Sequence, residues 1–178
     1  MTNHGAGFNI LVRDRSVLDI DRAVKQVSAW LQTKYWQTDR EYQYRQIPPR
    51  VFAEELLGSG TETVPDYKFW CLNGRCQLVE MVVDRFSDRR SLVVDTAWNP
   101  LPIDLGFPPP DGEIAKPQQF NRMVSIAEQL ATPFVFVSVD LYEVDGSIHF
   151  GELTFNPAKL SSSPEWDRRL GKLLKLPA

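Results

Sequence analysis

No stretch of this 178-residue chain approaches the apolar length that spans a bilayer, and Met1-Thr2-Asn3-His4-Gly5 lacks the basic-then-apolar pattern of a secretory leader. The expectation is a cytoplasmic protein with no membrane span. Cysteine is nearly absent: Cys71 and Cys76 are the only two, too few for a zinc set, and in a cytoplasmic chain they are expected as reduced, partly buried thiols. There are two histidines and no Ser-His-Asp arrangement; His149 falls in a strand and reads as structural. Lys and Arg number 20 against 23 acids, for a net charge of −3, and they are spread rather than clustered. That disfavours a basic face for nucleic acid. An Asp-x-Asp pair in a loop after a strand, as sugar-nucleotide glycosyltransferases use, is also missing, since Asp19-Ile20-Asp21 lies at a helix start. Internal repeats are absent.

What is present suffices for one good core, with 43% hydrophobic residues. The segment from Phe134 to Asn156 reads as two apolar strands around Asp145-Gly146, with a carboxylate in each, Asp140 and Glu152. Ionised carboxylates there are costly unless a cation compensates them, which points to a divalent metal holding a nucleotide phosphate. The alternative is a strand-end Asp and Glu that pair with Arg or cap backbone amides.

The turn decides whether the two acids can cooperate. A two-residue loop pairs Asp140 with Gly151 and sends Glu152 to the opposite face. A three-residue loop, Val144-Asp145-Gly146, pairs Glu143 with Ser147 and Asp140 with Phe150. Asp140, Glu152, Thr154 and Asn156 then share a face, with the two acids about 7 Å apart at the backbone. That spacing suits Mg²⁺, which takes oxygen ligands and keeps several waters.

Along the chain, a small-residue loop through Asn9 runs into a short strand, and a helix follows with Asp19 as N-cap and Ile20, Ala23, Val24, Val27 and Leu31 on one stripe. A strand is expected at Arg50 to Leu57, with a break at Gly58-Ser59-Gly60. Asn73-Gly74 marks a two-residue hairpin from Asp66 to about Asp84, with Cys71 facing Cys76. Strict alternation from that turn puts Asp66 and Lys68 on the face of Val79, Met81, Val83 and Arg85. A short strand near Leu92 to Val94 precedes a proline-rich loop, Asn99 to Lys116, of a length that usually covers a site. Pro117 opens a helix with Phe120, Met123, Val124, Ala127 and Leu130 inward. Ser161-Ser162-Ser163-Pro164 caps a last helix carrying Trp166, Leu170, Leu173 and Leu174. The order of elements predicts an α+β fold with mostly antiparallel pairing.

The stretches Asn3-His-Gly-Ala-Gly-Phe-Asn9, Pro49-Arg-Val-Phe-Ala-Glu-Glu-Leu-Leu57, Pro65-Asp-Tyr-Lys-Phe69, Val83-Asp-Arg-Phe86, Asp95-Thr-Ala-Trp-Asn-Pro-Leu-Pro102, Val139-Asp-Leu-Tyr142 and Phe150-Gly-Glu-Leu-Thr-Phe155 follow one another in order. Together they resemble the C-terminal part of the TupA-like ATP-grasp family, named for teichuronopeptide biosynthesis and associated with bacterial surface-polysaccharide gene clusters. The resemblance implies an ATP-grasp-like region over 1–178, in which 1–57 is the remnant of an incomplete nucleotide-binding subdomain and 58–178 the C-terminal subdomain with the metal site.

It further implies ATP and Mg²⁺ as cofactors. The loop of His4, Gly5, Ala6 and Gly7 would close over the triphosphate, and Glu54, Glu55, Leu56 and Leu57 would line adenine. Lys68 would face the phosphates, and Arg85 a phosphate or a substrate carboxylate. Asp140 and Glu152 would hold the metal, with Asn156 as third ligand because Thr154 stands where the family places Asn. The implied chemistry is carboxylate activation through an acylphosphate, delivered to a small-molecule, polysaccharide or peptide acceptor. There are two departures from the family pattern, a chain that opens directly on the Asn-His-Gly motif and Thr154 itself; the first favours a truncated noncatalytic binding module that recruits a polysaccharide-assembly partner, or a partner chain that completes the N-terminal subdomain, and a separate alternative is a glycosyltransferase-associated protein of a polysaccharide cluster.

Overall fold

The computed structural model describes residues 1–38, 41–58, 64–112, 114–156 and 164–176. The chain forms two compact units, Met1–Leu57 and Gly58–Ala178. No helix among the described residues is long and apolar enough to cross a membrane.

In the first unit, helix α1 spans Ile20–Leu31 and a single turn, α2, spans Tyr35–Thr38. Asp19 caps α1 as expected, its carboxylate accepting from the Arg22 amide at 2.9 Å. The apolar stripe of α1 is not buried: Ile20 is 66% exposed and Val24 60%. Aromatic rings hold this unit together instead, with Phe8 stacked on Trp30 at 5.5 Å and edge-on to Tyr35 at 5.6 Å. The strands expected after Asn9 and over Arg50 to Leu57 do not form. Among the described residues the unit's only β-pairing is the bridge Thr2–Val51, and an isolated segment without a partner edge cannot sustain a strand.

The second unit is α+β, with one antiparallel five-stranded sheet in the order β3-β2-β1-β4-β5. The strands are β1 Asp66–Leu72, β2 Arg75–Val83, β3 Arg90–Val94, β4 Phe136–Val144 and β5 Ser147–Thr154. Helix α3, Phe120–Ala131, covers one face, burying Phe120, Met123, Ala127 and Ala131 against Phe69, Val79, Met81, Val139 and Leu141. Leu130, expected inward, is exposed, because its position on the helix turns away from the sheet. The α3 N-terminus takes its cap from β4: Glu143 accepts from the Gln119 amide at 3.0 Å.

The opposite face is apolar at one end, where Trp70, Leu72, Leu78, Val93, Ile103 and Leu105 meet Leu170 of helix α4, Pro164–Leu173. Leu173 and Leu174, expected on this helix, are exposed, and Leu174 lies just past its end. The Ser161–Ser163 cap lies outside the described residues. Gly58 lies inside them, but the rest of the expected break, Ser59 and Gly60, does not.

Two bulges set the registers. Asn73 (φ 50°) and Gly74 (φ 75°) form the expected tight turn, and Cys71 pairs with Cys76 as free, buried thiols. Beyond that pair β2 inserts Gln77, so Trp70 meets Leu78 and Lys68 meets Glu80. The alternation that placed Asp66 and Lys68 with Val79, Met81 and Val83 is thereby corrected, and those apolar residues lie on the α3 face. The second turn is the two-residue one: Asp145 and Gly146 have φ of 50° and 73°, and Val144 pairs with Ser147. The three-residue loop is excluded because Glu143 pairs with Ile148. A bulge then sets both Gly151 and Glu152 opposite Asp140, so that Val139 pairs with Leu153 and Ser138 with Thr154. Only glycine fits position 151, where a Cβ would stand 2.8 Å from the Tyr142 ring and 3.1 Å from the Asp140 carbonyl oxygen.

Candidate functional site

The polar end of the second sheet face collects the chemistry. β1 supplies Asp66 and Lys68, separated by one residue and therefore on the same side; β2 supplies Glu80 and β4 supplies Ser138 and Asp140. Lys68 Nζ donates to Asp140 Oδ2 and lies 3.1 Å from Asp66 Oδ2. The Ser138 hydroxyl donates to Asp140 Oδ1 at 2.9 Å. Arg85 arrives from the loop after β2 and closes on Asp66 Oδ2 at 2.7 Å. Next to them Arg89 pairs with Glu80 at 3.2 Å. Both aspartates are almost fully buried, and Asp66 Oδ1 is buried without a hydrogen-bond partner.

Burial governs the protonation of this cluster. It pushes the Asp140 carboxyl up to about 7, against the pull of the Lys68 ammonium, and the Asp66 charge pushes the same way. Burial by itself would lower Lys68, but the Asp140 and Asp66 carboxylates outweigh it and hold the ammonium above its ordinary range. Tyr142 rises to about 12 through burial and the Asp66 charge. Glu80 is raised by burial, with Lys68 and Arg89 opposing. Two buried carboxylates share one ammonium, and Arg85 on Asp66 brings the four charges to balance, so the raised Asp140 carboxyl is the member that takes up a proton.

The expectation that Asp140 has only apolar neighbours is thus corrected: Lys68 and Ser138 compensate it. Glu152 is exposed on the bulge, and its charge acts on both Asp140 and Arg85. Asn156 is exposed in the bend after β5 and engaged in contacts of its own. No group of three or more His, Cys, Asp or Glu among the described residues is arranged to hold a metal. Mg²⁺ does not require one, since it is commonly held by one or two carboxylates with waters and substrate phosphates. The hard oxygens of Asp140 and Glu152, and the orphaned Asp66 Oδ1, fit that donor chemistry.

The other expected residues lie in the first unit. His4 is buried, with Nε2 3.0 Å from the Trp30 carbonyl oxygen, and it packs on Phe8. A Cβ at Gly5 would stand 2.7 Å from the Tyr35 ring, so close packing on that ring requires this glycine. Gly7 has φ 74° with open space around it, and the loop closes through the Thr2 amide on the Phe8 carbonyl at 3.0 Å. Ala6 is exposed, and Glu54, Glu55, Leu56 and Leu57 form an exposed, irregular segment.

Ser138, Glu80 and Tyr142 carried no site role in the sequence, and Asp66 was placed on the face of Lys68 and Arg85 without one. Asp66 had a visible signal, standing two residues before Lys68 in a strand. Glu80 had none, because its side depends on the Gln77 bulge.

The family model for TupA-like ATPgrasp matches residues 1–175. The chain belongs to that family. ATP-grasp proteins in general bind ATP and Mg²⁺. No curated protein and no solved structure matches this TupA-like chain.

Proposed function

We propose that this protein is an ATP- and Mg²⁺-dependent, carboxylate-activating ligase domain that works through an acylphosphate in bacterial surface-polysaccharide or peptide-polymer synthesis. The observation that carries the reading is Lys68 wedged between buried Asp66 and Asp140, with Arg85 alongside. Asp140 and Glu152 would hold Mg²⁺, with Asn156 or Thr154 as a further oxygen, and the ion when bound would neutralise phosphate charge. Lys68 then serves a γ-phosphate oxygen and Arg85 the substrate carboxylate, as charge-assisted donors held in place by the buried aspartates. No side-chain nucleophile is needed, because positioning and charge neutralisation carry phosphoryl transfer. Family likeness supplies the rest: His4 to Gly7 for phosphate and Glu54 to Leu57 for adenine.

The test is thermal. Mg-ATP should raise the melting temperature, and ATP with chelator should not. Asp140→Asn and Glu152→Gln should each abolish the shift. An unchanged melting temperature in saturating Mg-ATP refutes the proposal. A second reading, a noncatalytic binding module, is favoured by the compensation Asp140 already receives from Lys68 and Ser138. It predicts an ATP shift that survives chelation, with no phosphate release for any acceptor.

A further inference from the structure

The end of α4 and the residues that follow it are an exception to the spread of cations along the chain. Arg168-Arg169-Leu170-Gly171-Lys172-Leu173-Leu174-Lys175-Leu176 holds four cations and no carboxylate, in a protein of net charge −3. Leu170 is buried and seats the helix on the apolar end of the sheet. Trp166 donates its indole N–H to the Pro102 carbonyl at 3.2 Å, and the Arg169 guanidinium lies over its ring at 4.2 Å. Leu173, Leu174 and Leu176 do not follow Leu170 inward; all three are exposed, Leu176 to 79%.

Asn73, at the β1–β2 turn, fixes where this surface lies. Its Nδ2 donates to the Leu173 carbonyl at 2.8 Å, and its Oδ1 accepts from the Lys175 amide at 3.3 Å. The segment is therefore tied to the hairpin tip, where the Arg75 side chain is also largely exposed while pairing with Glu128. Lys172 in the last helical turn suits the helix dipole, but the dipole gives no reason for Lys175 beyond it or for the partly exposed Leu173 and Leu174 and the largely exposed Leu176 beside them.

We propose that this end of the second unit docks on the surface of an anionic phospholipid bilayer. Leucines that enter the headgroup and acyl boundary, with lysine stems reaching back to the phosphates, are the chemistry of interfacial helices. Each basic residue near an anionic leaflet multiplies partitioning by roughly fivefold. The net-negative remainder of the chain is repelled by the same leaflet, so contact through this end is the favoured orientation. From Arg168 to Leu176 the charge is of one sign beside aliphatic bulk, and the acids of α4, Glu165 and Asp167, lie in its first turn, away from this end.

Flotation of the full chain with vesicles of mixed phosphatidylglycerol and phosphatidylcholine, against phosphatidylcholine alone, tests this. Binding to the anionic vesicles only, weakened by salt, is expected. Lys172→Glu with Lys175→Glu should cut it by at least roughly 25-fold, at about fivefold per lost cation. Leu176→Ser should weaken binding with the melting temperature unchanged, since that side chain packs on little. Failure to float with anionic vesicles, equal flotation with neutral ones, or full binding by the charge-reversal variant overturns the proposal. So does a dimer in sedimentation that Leu176→Ser abolishes, because a second copy would then be what covers the leucines.

Discussion

Asp140→Asn should make the ligand-free protein more stable at neutral and alkaline pH, although it removes one half of an ion pair. In the wild type the folded carboxyl titrates near 7, against an ordinary value of 3.8. A carboxyl raised in this way favours the folded state most where both states are protonated, below about pH 4, and that contribution is lost as pH rises through 7. A difference of about three units corresponds to about 4 kcal/mol. Asn resembles the neutral acid, can keep the Ser138 contact and cannot ionise, so the variant's stability lacks this loss. Lys68 keeps Asp66 as a partner in the variant. Glu80 titrates alike in both proteins and cancels in the comparison. Urea unfolding in chelator from pH 4.5 to 8.5 should therefore show the two proteins close together at the acid end. They should then diverge, with the variant ahead by up to about 4 kcal/mol above pH 7.5. If the Asp140→Asn variant is instead the less stable protein at pH 8, the Lys68 attraction exceeds the burial cost and the assignment of Asp140 as a strained acid is wrong. A variant that gains stability yet loses the Mg-ATP shift would carry the signature of a binding residue held at a cost to the fold.

Lys68→Met should destabilise the fold by about 3–5 kcal/mol at pH 8, because two buried carboxylates lose their shared ammonium, and by less at pH 5, where Asp140 takes a proton; chemical denaturation at the two pH values reads the difference. Phe120→Ala, which empties the fully buried space between Phe69 and Trp98 at the start of α3, should cost about 3–5 kcal/mol in the same assay. Gly151→Val should disrupt the β4–β5 bulge against Tyr142 and Asp140, seen as lost amide protection in both strands and a weaker Mg-ATP shift. Cys71 and Cys76 should resist thiol reagents at pH 8 until the protein unfolds, since hydrogen bonding to Cys71 and burial hold the Cys76 thiol far above its ordinary value.

Local chemistry wrote the elements whose signals are short-ranged. Asn73-Gly74 specified a two-residue turn because few other pairs accept φ above zero in succession, and Asp19 specified the start of α1 because its carboxylate reaches an amide three residues on, whereas Asp145-Gly146 announced a turn but left its length to the strand pairing. The ordered motifs from Asn3 to Phe155 likewise carried the family. What the sequence could not decide was which side of the sheet each charge occupies. Gln77 and the Gly151–Glu152 pair each insert one residue into a strand, and with a side-chain period of two, a single insertion reverses every assignment beyond it. Nothing local announces a bulge, since it is chosen by what the neighbouring strand and its packing accept. So the chain's own letters named Lys68, Arg85 and Asp140, but only the assembled sheet brought Asp66 and Asp140 onto one ammonium, and the energy of that shared burial is a property of the tertiary structure alone.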